Sequence, residues 1–110
     1  MSTAAAIHSN TDGTAALSGE LVFSTVRALA AQGEALLAAE KPVNRLDLQA
    51  VSRVDSSGLA LLLEWQSRTK ANGANLLISN APDDLARLAR LCEAEDLLNL
   101  NHFESTNTNS

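Results

Sequence analysis

The chain has few of the residues that usually build ligand, metal or catalytic sites. Aromatic residues make up 3 % of its 110 residues, so no ring-lined ligand pocket is expected. A single cysteine, Cys92, excludes an intrachain disulfide, and its leucine-rich surroundings predict a small buried side chain. The two histidines, His8 and His102, stand near opposite ends of the chain, match no zinc signature and suggest no catalytic base. We therefore expect a protein that is not an enzyme and needs no cofactor or metal.

Charge and apolar patterning exclude two further classes of protein. Acidic residues outnumber basic ones by 13 to 8, which gives a formal net charge of −5. Nucleic acids and anionic membrane surfaces need a basic footprint, so neither is expected as the main partner. The apolar run at 59–63 is far shorter than the roughly 20 residues of a membrane-spanning helix, and the first ten residues lack a secretory signal. We expect a cytoplasmic protein with no direct membrane insertion.

The first part of the chain predicts a hairpin followed by a helix. Apolar residues near a 3.6-residue repeat predict the helix, and Pro42 is expected to end it. Gly33 inside that helix either weakens it or marks a close packing contact. The hairpin turn is favoured by an Asp-Gly dipeptide, which accepts a positive φ. The expected elements are strand 5–9, turn 12–13, strand 14–21 and helix 24–39.

The second part of the chain alternates strands with helices. Gly73 is a natural residue to follow the end of one helix, and Pro82 opens the next. Leu85, Leu88 and Leu91 are expected to recur on one face of that third helix. The expected elements are strand 43–51, helix 57–72, strand 74–79, a helix from Pro82 and a last turn or strand within 97–103.

This order of elements predicts a single α/β domain. Strand–helix–strand crossovers force at least part of the sheet to be parallel, whereas the hairpin makes it mixed, with the helices mainly on one side. We divide the chain into an N-terminal segment at 1–13 that holds a possible first edge strand, a domain at 14–103, and a polar tail at 104–110 that we expect to be disordered.

The junction "DSSG" at Asp55, Ser56, Ser57 and Gly58 is the candidate functional site. One interpretation is simple helix capping, because the first N–H groups of a helix lack partners and a side-chain oxygen satisfies them. Only one residue can be the cap, so at least one hydroxyl is free to face a partner. Gly58 leaves space for another backbone or a partner. A helix start also tolerates an anion, so phosphorylation of Ser57 is a plausible switch.

The helix behind this junction suggests a second surface. Leu59, Leu62, Leu63 and Gln66 share one face at 100° per residue and should point to the core. Leu61 and Trp65 project from its flank, where a wide apolar arc is either buried or exposed for docking. We predict a possible docking ridge formed by the side chains of Leu61 and Trp65.

Taken together, five motifs resemble the STAS domain, a module shared by sulfate transporters and anti-sigma factor antagonists. Their order and spacing match over roughly 14–103. The resemblance implies the STAS fold, with a mixed central sheet of four to five strands and helices packed mainly on one face. The motifs are "LSGEL" at 17–21, "LDL" at 46–48, "VDSSGLALLL" at 54–63, Gly73 and "LLIS" at 76–79.

Two branches of the family imply different partners. In anti-sigma factor antagonists, a kinase phosphorylates the hydroxyl directly before the glycine, here Ser57. In the STAS subunits of Mla phospholipid-transport ABC systems, the hydroxyl directly after the aspartate, here Ser56, belongs to the contact with the cytoplasmic ATPase. The stretch "SRVDSSGLALLLEW", with Arg53 and its leucines, is more similar to the transporter subunits. Ser57 departs from their pattern, which often has Gly or Ala there.

The resemblance therefore predicts a non-enzymatic cytoplasmic subunit that binds the ATPase of an Mla-type transporter and supports its assembly or activity in outer-membrane lipid asymmetry. It would lie at the inner membrane only through that complex. The alternative is an anti-sigma factor antagonist, with a serine kinase or an anti-sigma factor as partner and Ser57 as the phosphorylated residue. A third possibility is a stand-alone STAS module with an unrelated partner.

Overall fold

The computed structural model describes residues 5–10, 12–39 and 42–98. The predicted tail at 104–110, His102 and most of the predicted last turn or strand at 97–103 lie outside these ranges. Strands and helices follow each other much as the sequence predicts. The elements are β1 (Ala6–Ser9), β2 (Thr14–Leu21), α1 (Phe23–Leu37), β3 (Arg45–Val54), α2 (Ser56–Ala71), β4 (Leu77–Ser79), α3 (Asp83–Leu91) and α4 (Glu95–Leu98).

The four described strands form one mixed sheet in the order β1-β2-β3-β4. Strands β1 and β2 pair antiparallel through a hairpin in which Gly13 takes a φ of 88°, as the Asp-Gly dipeptide predicts. Strand β3 runs parallel to both β2 and β4. One face of the central strands is buried, including Leu17 and Leu48, whereas Arg45 and Gln49 lie exposed on the other. The expected α/β fold with one covered face is confirmed.

Helices α1 and α2 pack against each other over the buried face of the sheet. The closest contact is between Gly33 of α1 and the indole of Trp65 in α2. A Cβ atom at Gly33 would lie 2.1 Å from Cζ2 of Trp65, so even alanine would collide with the ring. Of the two explanations that the sequence left open for this glycine, the structure supports a close packing contact.

A buried amide joins α2 to the chain that leads into β4. The Gln66 side chain donates from Nε2 to the Leu76 carbonyl at 2.7 Å and accepts from the Leu76 N–H through Oε1 at 2.9 Å. Both polar ends of the buried amide are therefore satisfied, as burial of an amide requires. The predicted core face of α2 is confirmed at Leu59, Leu62 and Gln66, whereas Leu63 is only half-buried.

The polar face of the sheet is tied together where β4 ends. Asn80, which adopts a φ of 57°, donates from Nδ2 to Oδ1 of Asp47 at 2.9 Å. The same oxygen accepts the N–H of Gln49 at 3.0 Å. These two hydrogen bonds hold the pKa of the Asp47 carboxyl below its usual value, because both stabilise the charged form. This network lies on the face of the sheet opposite the one that α1 and α2 cover.

Three local predictions are wrong. Helix α1 ends at Leu37, so Pro42 lies beyond its end and does not terminate it. Leu91 is 76 % exposed because three-residue steps drift by about 60° each, which carries Leu91 away from the buried Leu85 and Ala89. Cys92 follows the last residue of that helix and is exposed, not buried.

No helix within the described residues is long and apolar enough to cross a membrane. In the same part of the chain, no three metal-ligating side chains come together.

Candidate functional site

The carboxylate of Asp55 is the N-cap of α2. Strand β3 ends at Val54 and α2 begins at Ser56, so Asp55 stands alone between the two elements. Its Oδ1 accepts the backbone N–H of Ser57 at 2.8 Å and that of Gly58 at 3.2 Å. Two of the orphan donors at the helix start are thereby satisfied. The possibility that a serine caps this helix is therefore wrong. Neither Ser56 nor Ser57 is needed as the cap.

The second oxygen of the same carboxylate reaches the start of the other helix. Asp55 Oδ2 accepts the N–H of Phe23, the first residue of α1, at 3.1 Å. The N-cap residue of α1 is Val22, whose side chain has no acceptor to offer. Thr25 secures this turn from within, because its Oγ1 accepts the Val22 N–H and donates to the Glu20 carbonyl. One carboxylate thus holds the starts of both helices side by side.

Gly58 lets the first turn of α2 rest on the end of β2. A Cβ atom at Gly58 would lie 2.3 Å from the carbonyl oxygen of Leu21. The N–H of Asp55 donates to that same carbonyl at 3.1 Å. Gly58 is buried, so the backbone it admits belongs to this chain. Of the two possibilities that the sequence left open at Gly58, another backbone or a partner, the structure supports the first, because the residue allows α2 and β2 to approach.

The two serine side chains remain accessible at this junction. Ser56 is exposed and Ser57 is half-buried. Within the residues that the structure describes, neither hydroxyl has a hydrogen-bond partner. We call residues 54–58 the corner. Its serine hydroxyls stand on the surface, as a docking or modification site requires, although the fold alone assigns neither role.

A groove opens beside the corner, between the first turns of α1 and α2. It has a volume of about 650 Å³. The side chain of Phe23 stands at its edge and is 80 % exposed. We call this surface the α1–α2 groove, and its lining residues are Phe23, Ser24, Val26, Arg27 and Ala30 from α1, and Ser57, Ala60 and Leu61 from α2.

The exposed apolar side chain at this surface is Phe23, which helical periodicity did not reveal, and not the predicted docking ridge of Leu61 and Trp65. Trp65 is 1 % exposed, because its ring fills the space over Gly33, so it offers no surface to a partner. Leu61 is also buried and contributes only to the lining of the groove. The sequence did contain a signal for this exposed aromatic residue. The chain has only two phenylalanines, and one of them, Phe23, stands directly before the predicted helix start.

Comparisons with protein families and curated proteins give concordant results. The family described as "Mlab, STAS domain" matches residues 6–99. Over 81 residues, the chain is 40 % identical to the intermembrane phospholipid transport system binding protein MlaB of Escherichia coli strain K12, covering 74 % of this chain and 80 % of that protein. The MlaB protein of Shigella flexneri matches with the same identity and coverage.

Solved structures share the architecture at much lower identity. The anti-sigma factor antagonist SpoIIAA in its unphosphorylated form has a TM-score of 0.65 and 18 % identity, with 84 % of each chain covered. A sulfate transporter family protein from Wolinella succinogenes has a TM-score of 0.63 and 20 % identity, covering 86 % of this chain and 78 % of that one. At such identities the likeness shows a common fold and nothing more.

Removing the Asp55 carboxylate should destabilise the fold because two helix starts lose their acceptor. We expect Asp55→Ala to lower the free energy of unfolding by about 2–3 kcal/mol, since a cap and a charged hydrogen bond disappear together. Asp55→Asn keeps one acceptor oxygen but loses the other, so we expect a smaller loss of about 1 kcal/mol. Urea unfolding followed by circular dichroism measures both changes.

The matched control is Asp83→Ala, which removes an exposed carboxylate from the first turn of α3. We expect it to change stability by no more than about 0.5 kcal/mol. Equal stabilities for Asp55→Ala and Asp83→Ala would contradict the role given to Asp55.

Proposed function

This chain belongs to the STAS domain family, as its motifs predict, and we propose that it is the STAS component of a phospholipid-transport ABC transporter. In this proposal it binds the ATPase subunit and supports assembly or activity of the transporter. The observation that carries the proposal is the 40 % identity to MlaB over most of both chains. The corner, where Ser56 is exposed and Ser57 is half-buried, lies beside the α1–α2 groove and offers a surface on which such a partner can dock.

The arrangement of the corner favours docking over catalysis. A serine nucleophile needs a base within hydrogen-bond reach. The one histidine in the described residues, His8, lies on edge strand β1 and pairs with Ala16, five residues before the corner end of β2. At about 3.3 Å per residue, that register places His8 roughly 16 Å along the sheet from the corner. The proposed protein therefore acts through binding and contributes no catalytic group to ATP hydrolysis.

The corner is suited to binding because its backbone is fixed before a partner arrives. Asp55 connects both helix starts, and Gly58 seats α2 directly on β2. A preorganised surface loses little conformational freedom on association, so more of the contact energy appears as affinity. In this proposal the chain acts on the cytoplasmic side of the inner membrane, held there through the transporter complex.

A bulky cation at Ser56 tests whether the corner contacts the ATPase. We expect Ser56→Arg to weaken binding to the purified ATPase subunit at least about tenfold, equivalent to about 1.4 kcal/mol or more. Ser56 is exposed and bonded to nothing in the described part of the chain, so the substitution should leave the fold intact. Co-purification and biolayer interferometry measure the loss of binding, and a melting curve verifies folding.

Ser67→Arg is the control, because Ser67 is an exposed serine on the same helix, about three turns further along. It should bind the ATPase like the unchanged chain. Full retention of the complex by Ser56→Arg would refute the proposed docking site.

An anti-sigma factor antagonist switched by phosphorylation remains the alternative. The observation in its favour is that Ser57 is half-buried with its hydroxyl unbonded within the described residues, so the oxygen is available to accept a phosphate. We expect a cognate serine kinase with ATP to add one phosphate that Ser57→Ala abolishes and Ser67→Ala does not. Intact-mass spectrometry measures it, and an unmodified chain after kinase treatment would exclude this alternative.

A further inference from the structure

The α1–α2 groove carries a single formal charge, which comes from Arg27. The other lining residues are apolar or bear hydroxyls, and none of them is acidic. Arg27 is exposed and makes no ion pair within the described residues. Among the other arginines, Arg68, Arg87 and Arg90 each have an acidic partner, whereas the exposed Arg45 and Arg53 of β3 have no ion pair within the described residues and do not line the groove. An acidic protein with a net charge of −5 thus presents a cation without an ion pair at a largely apolar groove.

The starts of both helices lie at the corner end of the groove. The N-terminal ends of α1 and α2 both meet at the corner, and helix starts carry partial positive charge. The Asp55 carboxylate at the corner accepts N–H groups of both helix starts and offsets that partial charge, so Arg27 remains the one formal charge among the residues that line the groove. Arg27 is four residues after Phe23, so the two side chains lie on the same face of α1, one turn apart.

We propose that the α1–α2 groove binds an amphipathic helix of the ATPase subunit whose apolar side chains enter the groove and whose carboxylate pairs with Arg27. This inference rests on the proposed function and adds the chemistry of the partner segment to it. Charge complementarity selects this occupant, because the groove combines an apolar floor with one unpaired cation at its rim. A trough between two helices also accepts a third helix by interlocking of side-chain ridges.

The apolar contribution to this contact comes from both walls of the groove. Val26 and Ala30 of α1 face Ala60 and Leu61 of α2 across it. The small side chains of the two alanines leave room for aliphatic side chains of the incoming helix. Phe23 stands at the edge with most of its ring exposed, where a partner can bury it. Aromatic side chains that become buried on association commonly provide a large share of binding energy.

The test measures affinity of the full chain for the purified ATPase subunit at low and high salt. Arg27→Glu should weaken binding at least about tenfold, because the new glutamate would repel the carboxylate of the ATPase helix that is proposed to pair with Arg27. Arg27→Leu should weaken binding less and should reduce the salt dependence, because it removes the charge but keeps an apolar side chain. Melting curves establish that all variants fold.

Arg45→Glu is the matched control for reversing an exposed arginine. Arg45 begins β3 on the open face of the sheet, nine residues before Val54, or about 30 Å from the corner. It should bind within about twofold of the unchanged chain. If Arg27→Glu binds as tightly as Arg45→Glu does, the inference is overturned.

The outcomes separate this inference from the proposed function. Loss of binding in Ser56→Arg, together with full binding in Arg27→Glu, overturns the helix-and-carboxylate inference and leaves the proposed function standing. No binding of the unchanged chain to the ATPase overturns both. Flotation with phosphatidylglycerol vesicles completes the test, because flotation that Arg27→Glu abolishes would identify an anionic lipid as the occupant and overturn the inference.

Discussion

One carboxylate, that of Asp55, determines how the two main helices stand relative to each other. Its Oδ1 caps α2 and its Oδ2 accepts the first N–H of α1, while its own N–H bonds to the end of β2. Unsatisfied backbone N–H groups at the start of a helix cost stability. Here the two oxygens of one carboxylate accept N–H groups from the starts of both helices. The α1–α2 groove opens beside this carboxylate, and Ser56 and Ser57 follow it directly in the chain.

Strand topology explains why the corner forms where it does. Strands β2 and β3 are parallel neighbours, and each is followed directly by a helix on the same face of the sheet. The carboxyl ends of the two strands therefore meet at one edge, with both helix starts above it. Crevices outside the carboxyl ends of parallel strands are the usual binding positions of open α/β sheets. In the proposed function, the chain uses for protein docking the position where enzymes of similar architecture place a substrate.

Local patterns in the sequence predicted local structure, whereas contacts between distant segments escaped them. The Asp-Gly turn, the end of α2 before Gly73 and the STAS motifs were identifiable because each depends on neighbouring residues, and the predicted fold is confirmed. The bond from Asp55 to Phe23 joins residues 32 positions apart, so no pattern within α2 reveals it. The same reason accounts for the error at Trp65, since helical periodicity shows which side chains share a face but not which flank a second helix covers.

We propose that the corner and the α1–α2 groove together form the surface that meets the ATPase subunit. Hydrogen–deuterium exchange of the full chain, with and without that purified subunit, tests it most directly. We expect slower deuterium uptake at the starts of α1 and α2, in 23–30 and 56–61, and unchanged uptake in 45–50 on the open side of the sheet. Protection confined to 45–50, with unchanged uptake at both helix starts, would contradict it.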